Sequence, residues 1–136
     1  MELAAHRVLL SGRAAGPLFR LKAPISFWGG VDPQSGAVVD PRHPDCGAQI
    51  AGTVLALPSA IGSSSSSAVM LELLRVGHAP VALLMGRIDA ILALGVVVAR
   101  EMGYGAIPVL EVDFDAIARL PADVSLSVDG SRILVS

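Results

Sequence analysis

Residues Ala60 to Leu74 read AIGSSSSSAVMLELL: a glycine, five serines, then an apolar segment. A serine run between domains is a flexible linker. A serine run between a strand and a helix is a loop that aims hydroxyls and backbone N–H groups at something. The flanks separate the two. Upstream, AGTVLALP (Ala51–Pro58) is a continuous apolar run of the buried-strand type, ended by a proline. Downstream, Val69, Leu73 and Val76 recur at helical spacing, with Met70, Leu71 and Leu74 widening the same face, so a helix is predicted from Ser63 to Val76. Gly77 supplies the stop. The chain on either side is too short for two robust domains. The serines therefore fall at a strand-to-helix turn, with Gly62-Ser63-Ser64 at its start. A helix N-terminus has free N–H groups and partial positive charge, which suit an anion. Serine is also an ordinary N-cap. A cap needs one serine rather than five, yet the residues alone leave both readings open.

The rest of the chain continues the alternation. HRVLLSG (6–12) and PLFRLK (17–22) read as strands separated by a turn over Gly12–Gly16. The stretch from Ala23 to Gly47 is dense in Pro, Gly, Asp and Ser and reads as loop, with a short strand at Ala37–Val39. PVALLM (80–85) and AIPVLEV (106–112) are further buried strands. ILALGVVVAREMG (91–103) is a helix, and DFDAIARLP (113–121) a short helix capped by its acids. VSLSVDGSRILVS (124–136) is a hairpin about an Asp-Gly turn. Strands and helices alternate in the second half, which predicts a layered α/β or β/β/α domain covering 1–136.

Composition narrows the function. Hydrophobic residues are 53% of the 136 and charged residues 16%, which excludes a disordered chain. Net charge is −2, Lys22 is the only lysine and no basic block exists, so nucleic acid is a poor partner. The apolar stretch Ala79–Ala99 is broken by Arg87, Asp89 and two glycines. A membrane span needs roughly 20 nearly uninterrupted apolar residues. With an acidic residue at position 2 and no signal-peptide pattern, the expected location is the cytoplasm. So apolar a small domain is expected to hide part of its surface against a partner, and to self-associate when alone.

Cys46 is the lone cysteine and reads as a small buried hydrophobe, not a metal ligand. His43 and Asp45 read as solvated turn residues, and His6 and His78 as structural or exposed. In PISFWGGVDPQSG (24–36), Trp28 followed by Gly29 and Gly30 would let backbone approach a ligand under an aromatic wall, or form a tight turn filled by Trp28. Asp32 reads first as a turn aspartate.

Taken in order, SFWGGVDPQSG, HPDCGAQIAGTVLALP and GSSSSS resemble the small subunit, or swivelling domain, of the aconitase X family, from about Gly12 to Val109. The resemblance implies a swivelling β/β/α domain like the mobile domain of aconitase. It implies a hydro-lyase that dehydrates a small hydroxy acid only together with a large subunit, which carries the iron–sulfur cluster; none is expected on this chain. There the cluster would act as Lewis acid on the leaving hydroxyl. In aconitase-like swivelling domains a Gly-Ser-Ser turn presents the proton acceptor. Carried over, Ser63 is the base, and Gly62 and Ser64 contact substrate. The second signature adds Ser26, Trp28, Gly29, Gly30 and Asp32 as substrate-binding candidates. Cations for the substrate are expected from the partner, because no Lys or Arg lies between Arg42 and Arg75. Members acting on phosphomevalonate are expected to carry a basic residue beside the turn, where this chain has Ile61. That favours cis-3-hydroxy-L-proline as substrate, with phosphomevalonate, or a stand-alone anion-binding module, as alternatives.

Overall fold

A computed structural model describes residues 1–136. The strands are β1 (Glu2–Ala4), β2 (Arg7–Leu10), β3 (Arg13–Arg20), β4 (Val54–Leu57), β5 (Ala82–Met85), β6 (Val109–Glu111), β7 (Ser125–Asp129) and β8 (Arg132–Val135). The helices are α1 (Phe27–Gly30), α2 (Ser66–Val76), α3 (Ala90–Glu101) and α4 (Phe114–Ala118). The strands follow the order β1-β8-β7-β3-β4-β5-β6-β2.

β3 joins two layers. Its first half, Arg13–Pro17, pairs antiparallel with β7, and its second half, Leu18–Arg20, pairs parallel with β4. β4, β5 and β6 form a parallel set, with α2 and α3 as the crossovers. Successive strand residues point to opposite faces, and both faces are covered. Leu55, Leu57, Leu83, Met85 and Val109 pack with Val69, Met70 and Leu73 of α2 and Leu92 and Val96 of α3. Val54, Ala56, Ala82, Leu84 and Leu110 pack with Leu126 and Val128 of β7, Ile133 of β8 and Ile117 of α4. The result is the expected hairpin, parallel sheet and helix stack, a β/β/α arrangement.

Local details differ from the sequence reading, each for a physical reason. Gly16 lies inside β3, not in a turn; a Cβ there would stand 2.8 Å from the carbonyl oxygen of Gly52. β1 pairs with β8 at the sheet edge and was not expected. Ala37–Val39 makes only single bridges, Val31 with Val38 and Ala37 with Gln49. Asp32 and Gly36 are committed to a turn, with Asp32 N–H on the Ala37 carbonyl and Gly36 N–H on that of Asp32. α2 begins at Ser66, three residues late, because Ser63–Ser65 form a turn of their own. No helix is long and apolar enough to cross a membrane.

Two further expectations are corrected. His43 and Asp45 are buried, not solvated. The Asp45 N–H donates to His43 Nδ1 at 3.0 Å, so the ring carries its proton on Nε2, 3.0 Å from the Ala23 carbonyl. Asp45 Oδ2 in turn accepts the Lys22 N–H at 2.7 Å. The pair ties the 40–47 turn to the segment that leads into the serine loop's neighbour. Cys46, the residue after Asp45, is exposed rather than buried.

Candidate functional site

The site is built where β4 leaves the sheet. β4 continues outward beside Leu21–Ile25: Leu21 N–H donates to the Ala56 carbonyl, Ile25 bridges Ala60, and Ile61 N–H donates to the Ile25 carbonyl at 2.9 Å. This extension sets Ser26 beside Gly62. Gly62 has φ +104°, and a Cβ there would lie 2.8 Å from Ser26 Oγ and 3.1 Å from Ser26 Cβ. Glycine is therefore required twice over, by dihedral and by space. The SFWGGVD segment and the serine run, far apart in sequence, meet at this point.

The five serines do different jobs. Ser63 Oγ accepts the Ser65 N–H at 3.0 Å, and the Ser63 carbonyl accepts the Ser66 N–H at 3.1 Å. Ser65 holds the N-cap position without a side-chain cap bond. Ser66 is buried, and its Oγ accepts the Trp28 N–H at 3.3 Å. Ser67 Oγ donates back to the Ser64 carbonyl at 3.0 Å. Neither a linker nor a single cap describes this arrangement. Gly62, Ser63 and Ser64 keep backbone N–H groups that donate to no acceptor in the chain, at the C-terminal edge of the parallel strands, where open α/β sheets bind ligands.

The second segment forms the facing wall. Ser26 Oγ donates to the Trp28 carbonyl at 3.1 Å. With the Ser66 contact, the Trp28 backbone is held at both its N–H and its carbonyl, while the residue as a whole stays 59% exposed. Gly29 has φ +79° with open space where a Cβ would be, and Gly30 is buried with its Cβ position 3.1 Å from Ile25 Cγ1. Thus Gly29 is open to a neighbour, whereas Gly30 serves close packing. A groove of about 510 Å³ runs beside them, lined by Trp28, Gly29, Val31, Asp32, Pro33, Val39 and Val69. Asp32 uses both carboxylate oxygens in its turn, accepting the Gln34 N–H and the Ser35 hydroxyl, each at 2.9 Å. These bonds, the Gln34 N–H foremost, hold its carboxyl below the ordinary carboxylate range.

One cation at this edge was missed. Gly86 N–H donates to the Leu57 carbonyl and Arg87 N–H to that of Pro58, so Arg87 stands beside the outgoing end of β4. Its side chain is exposed and bonds to no other residue of the chain. Scanning the residues between Arg42 and Arg75 could not find it, because β5 supplies it from the next strand; an arginine directly after a buried strand was the available signal. No group of three His, Cys, Asp or Glu side chains is placed to hold a metal.

With this geometry in view, comparison with known proteins is informative. The aconitase X swivel domain family matches residues 3–136. Cis-3-hydroxy-L-proline dehydratase of Pseudomonas aeruginosa is 43% identical over 122 residues, covering 88% of this chain and 21% of that protein. The enzyme of the same name from Hypocrea jecorina is also 43% identical, covering 90% of this chain and 20% of that protein. The chain thus spans about a fifth of the length of these relatives. The phosphomevalonate dehydratase small subunit of Methanothrix thermoacetophila is 36% identical, covering 99% of this chain and 88% of that one. The crystal structure of Thermococcus kodakaraensis aconitase X superimposes with a TM-score of 0.87 at 29% identity, covering 100% of this chain and 98% of that one. The chain belongs to the aconitase X family, of which it is the swivel domain.

Proposed function

We propose that this chain is the swivelling part of an aconitase X dehydratase, with Ser63 as the base that removes a carbon-bound proton from a small hydroxy acid. The observation that carries the reading is the state of the Ser63 hydroxyl. Its oxygen already accepts the Ser65 N–H at 3.0 Å, and its own proton has no acceptor within the chain. A serine hydroxyl is a weak base in water. It becomes effective only when donors stabilise its alkoxide. Here one N–H is in place, and the helix start adds its partial positive charge. The free N–H groups of Gly62, Ser63 and Ser64 are placed to bind an anionic substrate, with Ser26 closing the loop from the other side and Gly29 leaving the backbone open to approach. Arg87 is a candidate partner for a carboxylate.

The chain offers no residue set that fits an iron–sulfur cluster, having one cysteine, which is exposed, and no group of metal-ligating side chains. We propose that the cluster and much of the substrate pocket lie on a large subunit and that the isolated chain is inactive. Relatives named small subunits support such a partner. Cis-3-hydroxy-L-proline is the proposed substrate, supported by the higher identity to the dehydratases of that name and by Ile61 in place of a basic residue. Phosphomevalonate is the alternative. The test is Ser63→Ala in the assembled enzyme, with turnover on both compounds. A positioned general base contributes about 10²–10⁴-fold, so turnover should fall at least 100-fold while Kd for the large subunit stays unchanged. Retention of more than about a tenth of the turnover would remove Ser63 from this role.

A further inference from the structure

Trp28 is an exposed aromatic on a fixed backbone, and neither the base nor the serine loop uses its ring. We propose that the Trp28 groove seats an apolar segment of the cluster-bearing large subunit rather than the substrate; this rests on the reading of the chain as half of a two-part dehydratase. Three observations converge. The groove is lined by Val31, Pro33, Val39 and Val69, holds no cation, and includes the Asp32 carboxylate. That lining repels an anionic hydroxy acid and suits an aliphatic or aromatic side chain. Next, the groove is continuous with the serine loop through the Trp28 N–H on Ser66 Oγ. A chain that supplies N–H donors but no metal ligands must present that loop to its partner, and the groove goes with it. Last, the Trp28 backbone is clamped at both ends, so burying the ring orders little else. Rigid aromatic side chains that fill pockets dominate interface energies. About four-fifths of the length of the matching cis-3-hydroxy-L-proline dehydratases lies outside this domain, so a partner of ample size exists in those relatives.

Trp28 is the only tryptophan of the chain. Incorporating 5-fluorotryptophan therefore yields one 19F resonance from this subunit. On titration with unlabelled large subunit, the resonance should shift and lose its H₂O/D₂O solvent effect. Trp28→Ala should weaken assembly about 30-fold or more, the effect of a hot-spot residue. Val39→Asp, which charges the groove rim and lies outside the substrate-binding candidates, should weaken assembly similarly, with kcat at saturating small subunit within about threefold of wild type. An unchanged Kd for both variants, or a resonance that stays solvent-exposed in the complex, would overturn the proposal. So would a Val39→Asp kcat loss that persists at saturation, which places the groove on substrate, or a resonance that responds to self-concentration alone, which places a second copy in the groove. Ser63→Ala keeps the two readings apart: loss of turnover with normal assembly supports the base whatever Trp28 does, and normal turnover removes the base while leaving the groove result intact.

Discussion

Gly62→Ala tests whether the contact between the two signature segments positions the serine loop. Alanine at φ +104° is strained, and such conformations cost about 1–3 kcal/mol. The new Cβ would also stand 2.8 Å from Ser26 Oγ and 3.1 Å from Ser26 Cβ, distances that something must relieve. Gly47→Ala is the control: φ is +94° but nothing lies within 4 Å of the Cβ position, so it carries strain without collision. For a domain of this size 1 kcal/mol shifts Tm by about 3–6 °C. Gly47→Ala should therefore lower Tm by several degrees, and Gly62→Ala by more. Misplacement by about 1 Å can cost 10²-fold in rate, so only Gly62→Ala should also abolish turnover in the assembled enzyme. Ser26→Gly in the Gly62→Ala background removes the obstructing atoms and should recover part of both losses, a coupling readable as a double-mutant cycle. If Gly62→Ala matched Gly47→Ala in Tm and kept its turnover, or if Ser26→Gly gave no rescue, the argument that this contact sets the loop would fail.

Gly95→Ala should splay α2 from α3, because its Cβ would lie 2.5 Å from the Ser67 carbonyl oxygen and 3.0 Å from Met70 Cβ; overpacking costs about 1–3 kcal/mol, and thermal unfolding with turnover in the complex would report it. Asp32→Asn should destabilise at neutral pH. Because the folded-state pKa of Asp32 is lowered, its stabilisation is present above the unfolded pKa and is lost as pH falls through the folded value. The gap between wild type and Asp32→Asn in urea unfolding should therefore narrow in the acid range; a gap constant with pH would contradict this. Cys46→Ser should leave both turnover and the iron content of the assembled enzyme unchanged, and loss of iron would place a cluster ligand on this chain.

Much of the fold was legible locally. AGTVLALP, PVALLM and AIPVLEV lack polar alternation because β4, β5 and β6 are covered on both faces, and that continuous apolar character survives in one dimension. The hairpin was legible from Asp129-Gly130. Three things were not. Gly16 looked like a turn because the close approach of Gly52 is a contact between distant segments. His43 and Asp45 looked solvated because polar residues in a Pro-rich turn usually are, and only Lys22 and Ala23 folding over them supplies their partners. Arg87 was invisible to a search along the serine run because adjacency of β4 and β5 places it there.

The sequence by itself determined that the serine run begins a helix after a buried strand, since hydrophobic periodicity and glycine and proline stops are local signals that tertiary contacts seldom override. Its order of motifs also determined the family. Only the tertiary structure decided which serine does what. Ser63 accepts an N–H, Ser66 is turned inward to hold Trp28, and Ser67 bonds back to Ser64, although all five share one side chain and adjacent positions. The physical reason is that a hydroxyl has no fixed partner until the backbone is placed. Here the backbone is placed by the ladder joining Ile25 to Ala60 and by the space that Gly62 leaves for Ser26.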